Sequence, residues 1–509
     1  MRDLLFHLQP TAPTSLQAQI REKIVTAIVD GQLPEGDRMP SSRQLAHDLK
    51  VSRNTVTLAY QSLVDDGFLA GRERSGYFVG KARLETAKPT LRRELPVSVQ
   101  AKPPSSDHWT TRLALRPSTQ INLTKPSDWA QYPYPFVYGQ VDANLFPIAE
   151  WRDCARQAMG RRWIEDWASD HHANDDPLLV EQIRTRLLPR RGVMAAEDEI
   201  LITVGAQHAL YLLSALLVTP MTTAAFETPG YPDVRNIFAL ATKRLIPLPV
   251  DRSGLVVDDR LDGSDVVYTT PSHQAPTTVT MTEARRLALL DKAREQDFVI
   301  IEDDYEFETN YVCAPLPSLK SLDRDGRVIY VGSLSKTIFP GLRLGYLVAP
   351  RALIQEARAL RRLMLRHPPN NSQRTAALFL QLGHHDAMIL KLRRVLGDRW
   401  RIMGEALERH LPMLERTPSH GGSSVWLKGA ASFDSDALAL AALAQGIVIE
   451  PGGPFFTPES PKRNFMRLGF SSIDASRIED GVRKLSQMLI PTGSAPAAGS
   501  SRGRSLALP

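Results

Sequence analysis

The first 80 residues alternate apolar and polar positions with the period of an amphipathic helix, roughly 3.6 residues. The segment SLQAQIREKIVTAIVD shows this period at four positions: Leu16, Ile20, Ile24 and Ile28. Gly31 follows it and can end a helix. Two further segments, SSRQLAHDL and SRNTVTLAYQSLVDDG, keep the spacing, and each begins at a serine that can cap a helix. FLAGRERSGYFVG then reads as two short strands, so residues 1–80 are predicted to form one small domain.

From about residue 119 the pattern changes to short apolar runs that alternate with helical segments. Predicted strands cover 200–204, 223–227, 265–269, 298–302 and 328–331. Predicted helices cover 176–188, 206–217, 282–296 and 353–364. This alternation indicates an α/β fold with a largely parallel sheet and helices on both faces. We expect the domain to span 119–489, with a smaller α/β subdomain at about 385–489 and a disordered tail at 490–509.

Length and composition are those of an ordinary globular protein of more than one domain. The chain has 509 residues, of which 43% are hydrophobic and 23% charged. Its two cysteines, Cys154 and Cys313, cannot form a disulfide framework, which favours a reducing cytoplasm. The longest apolar run, 209–218, is about half of a ~20-residue membrane span, and the N-terminus has no signal-peptide pattern. The sequence therefore predicts a cytoplasmic protein without a membrane partner.

The net charge of +6 is concentrated in one segment. Residues 1–80 contain nine Lys/Arg and nine Asp/Glu, whereas 81–118 contain eight and three. That segment also holds five prolines and no apolar period, so it is interpreted as a basic, extended linker. Its charge can add non-specific affinity for a DNA backbone, or it can be a solvated tether.

The third helix of the small domain carries the polar side chains that suggest DNA binding. Arg53, Asn54, Thr55 and Thr57 lie near its N-terminal, outward end, where a recognition helix meets the major groove of double-stranded DNA. A basic, glycine-bearing tip at 72–76 suits a groove edge or phosphates. The alternative is a small helical domain whose Arg and Thr are merely solvated. The agreement of helix lengths, turn and strand pair favours a winged helix-turn-helix.

Three motifs of this domain, MPSSRQLAHDL, VSRNTV and GFLAGRERSGYFV, resemble the winged helix of the GntR family. The resemblance covers about 65 residues. It implies that the residues contacting DNA are Arg43, Arg53, Asn54, Thr55 and Gly76.

The segment GSLSKTIFPGLRLGY, 332–346, contains the strongest candidate chemistry of the larger domain. Ser333 and Ser335 precede Lys336, and Arg343 follows seven residues later. A lysine amine beside hydroxyls and a guanidinium is what pyridoxal 5'-phosphate requires, because the amine forms a Schiff base and the other groups hold the phosphate. A pyridinium and Arg343 nearby would lower the pKa of Lys336. Taken alone, the tetrapeptide is more typical of a solvated surface lysine.

Other segments supply candidates for the remaining parts of that cofactor. The predicted strand EILITV leads into Gly205, Ala206 and Gln207, which open a helix whose free N–H groups suit the phosphate. Asp303 ends the predicted strand FVIIED, at the sheet edge where ligands bind, and can keep the ring nitrogen protonated. The alternatives are a plain turn for the first segment, and a solvated acidic loop or a metal site for EDDYEFE. A metal is disfavoured because no clustered histidines accompany it.

Three further side chains are candidates for ring and ligand contacts. Tyr305 can reach the phenolic oxygen of the ring, and Tyr231 in ETPGYPDVR can stack on the ring face. Arg467 in FMRLGFSSI can hold a ligand α-carboxylate with its guanidinium fork. The alternative for Tyr231 is a turn around Pro229, and the alternative for Arg467 is a surface salt bridge.

Residues 120–488 resemble fold type I aminotransferases, through the motifs GSLSKTIFPGLRLGY, VIIEDDYEFE, TVGAQHAL, TPGYPD, TPSHQAPTT and MRLGFSS. With the winged helix in front, the whole chain is similar to the MocR group of GntR-family regulators. The resemblance implies Lys336 as the Schiff-base lysine and Arg467 at an effector carboxylate. The implied ring contacts are Asp303, Tyr305, His273 and Tyr231, and the implied phosphate contacts are Ala206, Gln207, Ser333, Ser335 and Arg343.

Two positions depart from the family pattern. HQxPTG is written HQAPTT here, with Thr278 where glycine is usual. The usual YGDPxG loop, whose tyrosine reaches the partner subunit's phosphate, reads DHHANDDP at 170–177. Asp170, His171 or His172 is a possible substitute for that tyrosine.

Two functions follow from these resemblances. The first is a homodimeric transcriptional regulator that senses pyridoxal phosphate, or an amine or amino-acid effector, through Lys336. The second is an active aminotransferase with an accessory DNA-binding domain. A third reading, in which the larger domain is a relic, is disfavoured by the presence of Lys336, Asp303 and Arg343 together.

Overall fold

The computed structural model describes residues 8–9, 14–72, 75–80, 107–170 and 173–489. The chain divides into two compact units, residues 1–113 and 114–509. The predicted tail at 490–509 and most of the predicted linker, 81–106, lie outside the described residues. Within the described residues, no helix is both long and apolar enough to cross a lipid bilayer.

The first unit contains three helices followed by an antiparallel strand pair. Its elements are α1 (Leu16–Val29), α2 (Ser42–Asp48), α3 (Arg53–Asp65), β1 (Leu69–Arg72) and β2 (Gly76–Val79), and a short helix α4 (Asp107–Thr110) follows later. Serines cap the first three helices, as the sequence predicts, each accepting a backbone hydrogen bond: Ser15, Ser41 and Ser52. A single apolar cluster, which includes Ile20, Ile24, Leu45, Val56 and Tyr60, fixes how these elements pack. The winged helix-turn-helix prediction is confirmed.

The second unit is an α/β structure whose elements alternate along the chain. Its helices are α5 (Ile148–Ala158), α6 (Ile164–Ala168), α7 (Pro177–Gln182), α8 (Ala206–Leu217), α9 (Pro232–Ala241), α10 (Glu283–Gln296), α11 (Leu319–Leu322), α12 (Arg351–Leu365), α13 (Asn370–Gln381), α14 (His384–His410), α15 (Ser435–Ala444) and α16 (Ala475–Leu489). Its strands are β3 (Tyr134–Pro135), β4 (Ile200–Thr203), β5 (Ala224–Thr228), β6 (Leu245–Asp251), β7 (Gly254–Leu255), β8 (Val266–Thr269), β9 (Val299–Asp303), β10 (Val328–Ser333), β11 (Gly345–Val348), β12 (Glu415–Arg416), β13 (Ser424–Lys428), β14 (Ile447–Val448), β15 (Glu450–Pro451) and β16 (Phe465–Gly469).

Eight strands of the described chain form one sheet in the order β4-β11-β10-β9-β8-β5-β6-β7. β11 runs antiparallel to both β4 and β10, and β7 runs antiparallel to β6, whereas the other neighbours are parallel. The carboxyl ends of β4, β5, β8, β9 and β10 therefore meet at one edge. The five predicted strands are all present, and apolar clusters cover both faces of the sheet, so the fold-class prediction is confirmed.

The helix predicted at 176–188 is shorter in the structure. The α-helix ends at Gln182, and the chain continues as a π-helical turn at Ile183–Leu187 and a 3-10 turn at Leu188–Arg191. Pro189 offers no backbone N–H, so a regular α-helical ladder cannot continue through it. The apolar spacing survives this change because Ile183, Leu187 and Leu188 all remain buried.

A second sheet, β12-β13-β16-β15, packs with α14, α15 and α16 around its own apolar cluster. One member of that cluster comes from far away in sequence: Phe136 is fully buried there. Its neighbouring strand β3 pairs in parallel with β14. The segment after residue 134 thus belongs with the C-terminal elements, which no local pattern in the sequence predicts.

Candidate functional site

A cavity of about 280 Å³ lies at the carboxyl edge of the large sheet. Most of the residues predicted to hold a cofactor line it. These are Ala206, Gln207, Tyr231, Asp303, Tyr305, Ser333, Ser335, Lys336 and Arg343, and Arg467 joins them from the second sheet. Strand ends that are distant in sequence therefore place these side chains around one space.

Lys336 follows β10 and reaches into the cavity, where its amine lies 4.4 Å from the centre of the Tyr138 ring. Burial lowers the pKa of Lys336 to about 8, with Glu306 opposing and Arg467 adding to the shift. The neighbouring cation that adds to the shift is Arg467, and the predicted contribution from Arg343 stays a prediction. With a pKa of about 8, roughly a quarter of the amine is neutral near pH 7.5, which suits attack on an aldehyde.

The same amine lies against Gly139, which has a φ of +70°. A Cβ placed at this glycine would come closer than 3.0 Å to Lys336 Nζ. Gly139 therefore leaves the space that the lysine amine occupies.

Asp303 is the last residue of β9 and is buried, with one carboxylate oxygen accepting a hydrogen bond of 2.9 Å from the Tyr268 hydroxyl. Its other oxygen, Oδ1, has no partner among the described residues. Burial raises the pKa of Asp303 to about 7, and repulsion by Asp304 adds to the shift, while the Tyr268 hydrogen bond opposes it. A cationic N–H in the cavity would stabilise the ionised form of Asp303 and lower its pKa, because it would pair with the unsatisfied oxygen.

Another part of the cavity wall carries groups of the kind that bind an anion. Gly205 precedes α8 with a φ of +78°, and no side chain caps the helix there. The Arg343 guanidinium lies over Gly205 and donates a hydrogen bond of 3.3 Å to the Val204 carbonyl. The Ser335 hydroxyl is buried without a hydrogen-bond partner in the described part of the chain, and Ser333 accepts a hydrogen bond from the Ser335 amide. Uncapped helix amides, a guanidinium and a free hydroxyl are the groups that bind phosphate.

Tyr231 and Gln207 both donate hydrogen bonds to Asp233 Oδ2, at 2.8 and 3.1 Å. Burial raises the pKa of the Tyr231 hydroxyl, with Asp233 adding to the shift, so the phenol stays neutral. Asp233 fixes the position of both side chains at the cavity wall, and it is absent from the sequence-based prediction.

Tyr305 lines the cavity next to Tyr138, and burial raises the pKa of both hydroxyls well above the usual value. The Tyr138 hydroxyl donates to Glu306 at 3.2 Å, and the Ser423 hydroxyl donates to the other oxygen of the same buried carboxylate. Glu306 thus links the segment after β3, the loop after β9 and the start of β13.

Arg467 lies on β16 with a guanidinium that is already paired. Its Nε donates to Glu450 Oε2 at 2.6 Å, and both side chains are at most 9% exposed. Glu450 also lines the cavity. This carboxylate, like Tyr138, Gly139 and Glu306, is absent from the sequence-based prediction. The sequence feature that could have indicated two of these residues is the dipeptide Tyr138-Gly139, where a glycine follows an aromatic residue.

His273 does not line the cavity. Its ring is buried with no hydrogen-bond partner on either nitrogen among the described residues, close to Gly422. Burial lowers the pKa of His273, which favours the neutral ring. Its predicted position beside the cofactor ring stays a prediction.

Thr278 adopts a φ of +62°, which is the left-handed region that glycine enters without strain. The backbone at this position therefore keeps the conformation expected of the family's glycine although the residue differs. The threonine is 3% exposed, and its hydroxyl donates to the Thr277 carbonyl at 2.6 Å.

Two aspartates of the segment 170–177 form ion pairs, one with a residue just after α12 and the other with a residue on α13. Asp170 pairs with Arg366 and lies 3.4 Å from His367 Nε2. Asp176 caps α7 and accepts a hydrogen bond of 2.6 Å from Arg374. The other two candidates for the missing tyrosine, His171 and His172, lie outside the described residues.

The predicted DNA contacts of the first unit lie on α2, on the N-terminal part of α3 and at the start of β2. Arg43, Arg53 and Asn54 are exposed, and Arg53 Nε lies 3.5 Å from the Ser42 hydroxyl. Gly76 begins β2 with a φ of +96°. Exposed cations at a helix N-terminus can reach phosphates or base edges.

The hydroxyls of the two threonines on α3 already form hydrogen bonds near the start of the helix. The Thr55 hydroxyl lies 2.8 Å from the Ser52 hydroxyl at the N-cap. The Thr57 hydroxyl donates to the Arg53 carbonyl at 2.9 Å. Each hydroxyl keeps acceptor capacity for a further contact.

Comparison with known proteins agrees with both units. Residues 16–79 match the family of bacterial regulatory proteins, gntR family, and residues 176–485 match aminotransferase class I and II. The HTH-type transcriptional regulator TauR of Rhodobacter capsulatus is 43% identical over 95% of this chain and 98% of that protein. The chain is a MocR-type member of the GntR family. The probable rhizopine catabolism regulatory protein MocR of Rhizobium meliloti is 30% identical, over 94% of both chains.

A solved structure extends the comparison to the cavity of this MocR-type regulator. The α-aminoadipate aminotransferase LysN of Thermus thermophilus is 27% identical with a TM-score of 0.68, covering 75% of this chain and 98% of that one. That structure holds N-(5'-phosphopyridoxyl)-L-leucine. The second unit thus shares its fold with a protein whose structure holds a pyridoxal phosphate compound.

Proposed function

We propose that this MocR-type regulator binds pyridoxal 5'-phosphate at Lys336 and senses the cofactor or a primary amine or amino acid there. One observation carries the proposal. One cavity contains a partly neutral lysine amine, a buried carboxylate oxygen that has no partner among the residues described, and a group of side chains of the kind that bind anions. Each orphaned group matches one part of the cofactor, and orphaned buried polar groups need such a partner.

Each side chain is assigned to one part of the cofactor. Lys336 supplies the amine for the Schiff base, and Asp303 supplies a negative charge at the ring nitrogen. Arg343, Ser335 and the first amides of α8 hold the phosphate dianion. When bound, pyridoxal phosphate supplies an aldehyde and an electron-withdrawing ring. Tyr231 covers the ring, while Tyr305 offers its neutral hydroxyl to the ring oxygen.

An effector amine that replaces the Lys336 amine would free the lysine, and this is the change that the protein would sense. A coupling of roughly 1–3 kcal/mol between effector and DNA is enough to change operator occupancy several-fold. We propose a homodimer, because two recognition helices read paired half-sites of a double-stranded operator.

Lysine substitution tests the attachment site. The purified protein should be yellow, and borohydride followed by digestion and mass spectrometry should place the adduct on Lys336. Lys336→Ala should abolish the adduct. Lys125→Ala is the matched control, since Lys125 also lines the cavity but is exposed at its mouth. An adduct that persists in Lys336→Ala and disappears in Lys125→Ala would refute the assignment.

Turnover separates sensing from catalysis. The second candidate, an active aminotransferase, is favoured by the presence of Lys336, Asp303 and Arg343 around one cavity. Incubation with amino acids and a keto-acid acceptor should give at most a single conversion for each protein molecule if the domain is a sensor. Multiple turnovers would establish the aminotransferase instead.

A further inference from the structure

We propose that Glu450 selects the effector by masking Arg467, so that the site prefers amines whose amino-bearing carbon carries no carboxylate. This inference rests on the proposed sensing function and names the chemical class of its ligand. The sequence alone suggests the reverse, an Arg467 fork that is free to take an α-carboxylate.

The pair is fixed by the backbone. Glu450 on β15 and Arg467 on β16 are direct partners in the antiparallel register. The distance from Arg467 Nε to Glu450 Oε2 is 2.6 Å, with side-chain exposures of 4% and 9%. A buried, charge-assisted hydrogen bond across neighbouring strands holds both groups in place.

Two aromatic rings limit the movement of the guanidinium. Its central carbon lies 4.0 Å from the Tyr138 ring centre and 4.7 Å from the Phe455 ring centre. Arg467 therefore cannot swing far to leave its carboxylate. Any competing anion has to approach the arginine while Glu450 stays beside it.

The masked pair faces the reacting amine. Glu450, Arg467, Tyr138 and Lys336 line the same cavity, and the Lys336 amine lies 4.4 Å from the same Tyr138 ring that Arg467 covers. An effector bound at Lys336 would hold the substituents of its amino-bearing carbon near this pair. A hydrogen or alkyl group there costs no charge repulsion, whereas a carboxylate would meet Glu450.

The physical cost of a second carboxylate decides the preference. One arginine cannot compensate two carboxylates, so an α-amino acid must either displace Glu450 or accept like-charge repulsion at close range. Because like charges brought close together in a desolvated site repel each other, we expect the added carboxylate to reduce affinity by roughly tenfold or more. The terminal nitrogens of Arg467 can still contact an α-carboxylate, which makes the effect a preference that experiment can measure.

The test compares two ligands that differ in this carboxylate. The cofactor-loaded protein is titrated with L-alanine and with ethylamine, and the absorbance of the bound cofactor reports binding. Glu450→Gln keeps the shape of the side chain and removes its charge. We expect this variant to lower the L-alanine concentration for half-change by about tenfold or more. The ethylamine concentration should stay within about threefold, since no carboxylate is involved.

Control variants separate charge from folding. Glu450→Asp keeps the charge and should still disfavour L-alanine. Glu181→Gln changes an exposed glutamate on α7 and should alter neither titration. The cofactor absorbance and circular dichroism of each variant report whether the fold and the site are intact. Comparison of variants with one ligand cancels the different basicities of the two amines.

The outcomes distinguish this inference from the proposed function. If Glu450→Gln leaves the L-alanine titration unchanged while ethylamine still alters the spectrum, sensing stands and the selective role of Glu450 is refuted. If neither ligand alters the spectrum of any loaded protein, sensing of amines fails and the inference fails with it, whereas attachment of the cofactor at Lys336 is decided separately by Lys336→Ala.

Discussion

Gly139 provides the sharpest test of the lysine position, because a side chain added there would meet the Lys336 amine. We predict that Gly139→Ala will slow attachment of pyridoxal phosphate far more than it will destabilise the fold. The new Cβ would lie closer than 3.0 Å to Lys336 Nζ and 3.6 Å from Cε. The far end of a flexible side chain can move, so the amine would shift by roughly an ångström, and such a displacement costs about 100-fold in rate.

The expected cost to stability is small by comparison. Gly139 has a φ of +70°, and an alanine in the left-handed region loses about 1–2 kcal/mol relative to glycine. Alanine also restricts the unfolded chain more than glycine does, which offsets roughly 0.4–1 kcal/mol of this loss. The free energy of unfolding should therefore fall by only about 1 kcal/mol.

The assay mixes unloaded protein with pyridoxal phosphate and follows the growth of the absorbance band of the lysine adduct. Chemical denaturation of the same samples gives the free energy of unfolding. Gly341→Ala is the matched control, since a Cβ there meets its nearest heavy atom, Phe339 Cδ2, at an ordinary 3.8 Å. If Gly139→Ala forms the adduct at the wild-type rate, the lysine amine does not occupy the space above this glycine, and the site geometry is wrong.

Three further predictions concern charge. Burial lowers the pKa of Lys336 to about 8, and the neutral amine is the form that attacks the aldehyde. The attachment rate should therefore rise as pH increases towards 8 and level off above it. A rate that keeps rising to pH 10 would contradict the lowered pKa. Asp303→Asn keeps the Tyr268 contact but removes the charge, so cofactor release measured by dialysis should show roughly 10–100-fold weaker retention, and unchanged retention would exclude Asp303 as the ring partner. Arg53→Ala should weaken binding to a random-sequence duplex, reduce the salt dependence of log K by about 1 and leave the cofactor band unchanged. A simultaneous loss of that band would contradict the separation of the two functions.

Much of the fold follows from local patterns in the sequence. The serines that cap α1, α2 and α3 satisfy helix amides within three residues, and the apolar runs of β4, β9 and β10 are long enough to define buried strands. The edge at which Asp303 and Lys336 meet also follows, because parallel strands share their carboxyl ends. These inferences need only near neighbours in the chain or a general rule of sheet topology.

The sequence by itself determined a DNA-reading helix, a parallel sheet and the lysine, carboxylate and arginine that a phosphate-bearing aldehyde requires. Only the tertiary structure decided which side chains surround that lysine. Gly139 reaches Lys336 from almost 200 residues away, and Glu450 meets Arg467 through the register of two strands. The physical reason is that these groups are brought together by the pairing of strands and by the packing of the second sheet against the first. Neither produces a pattern in the spacing of residues along the sequence.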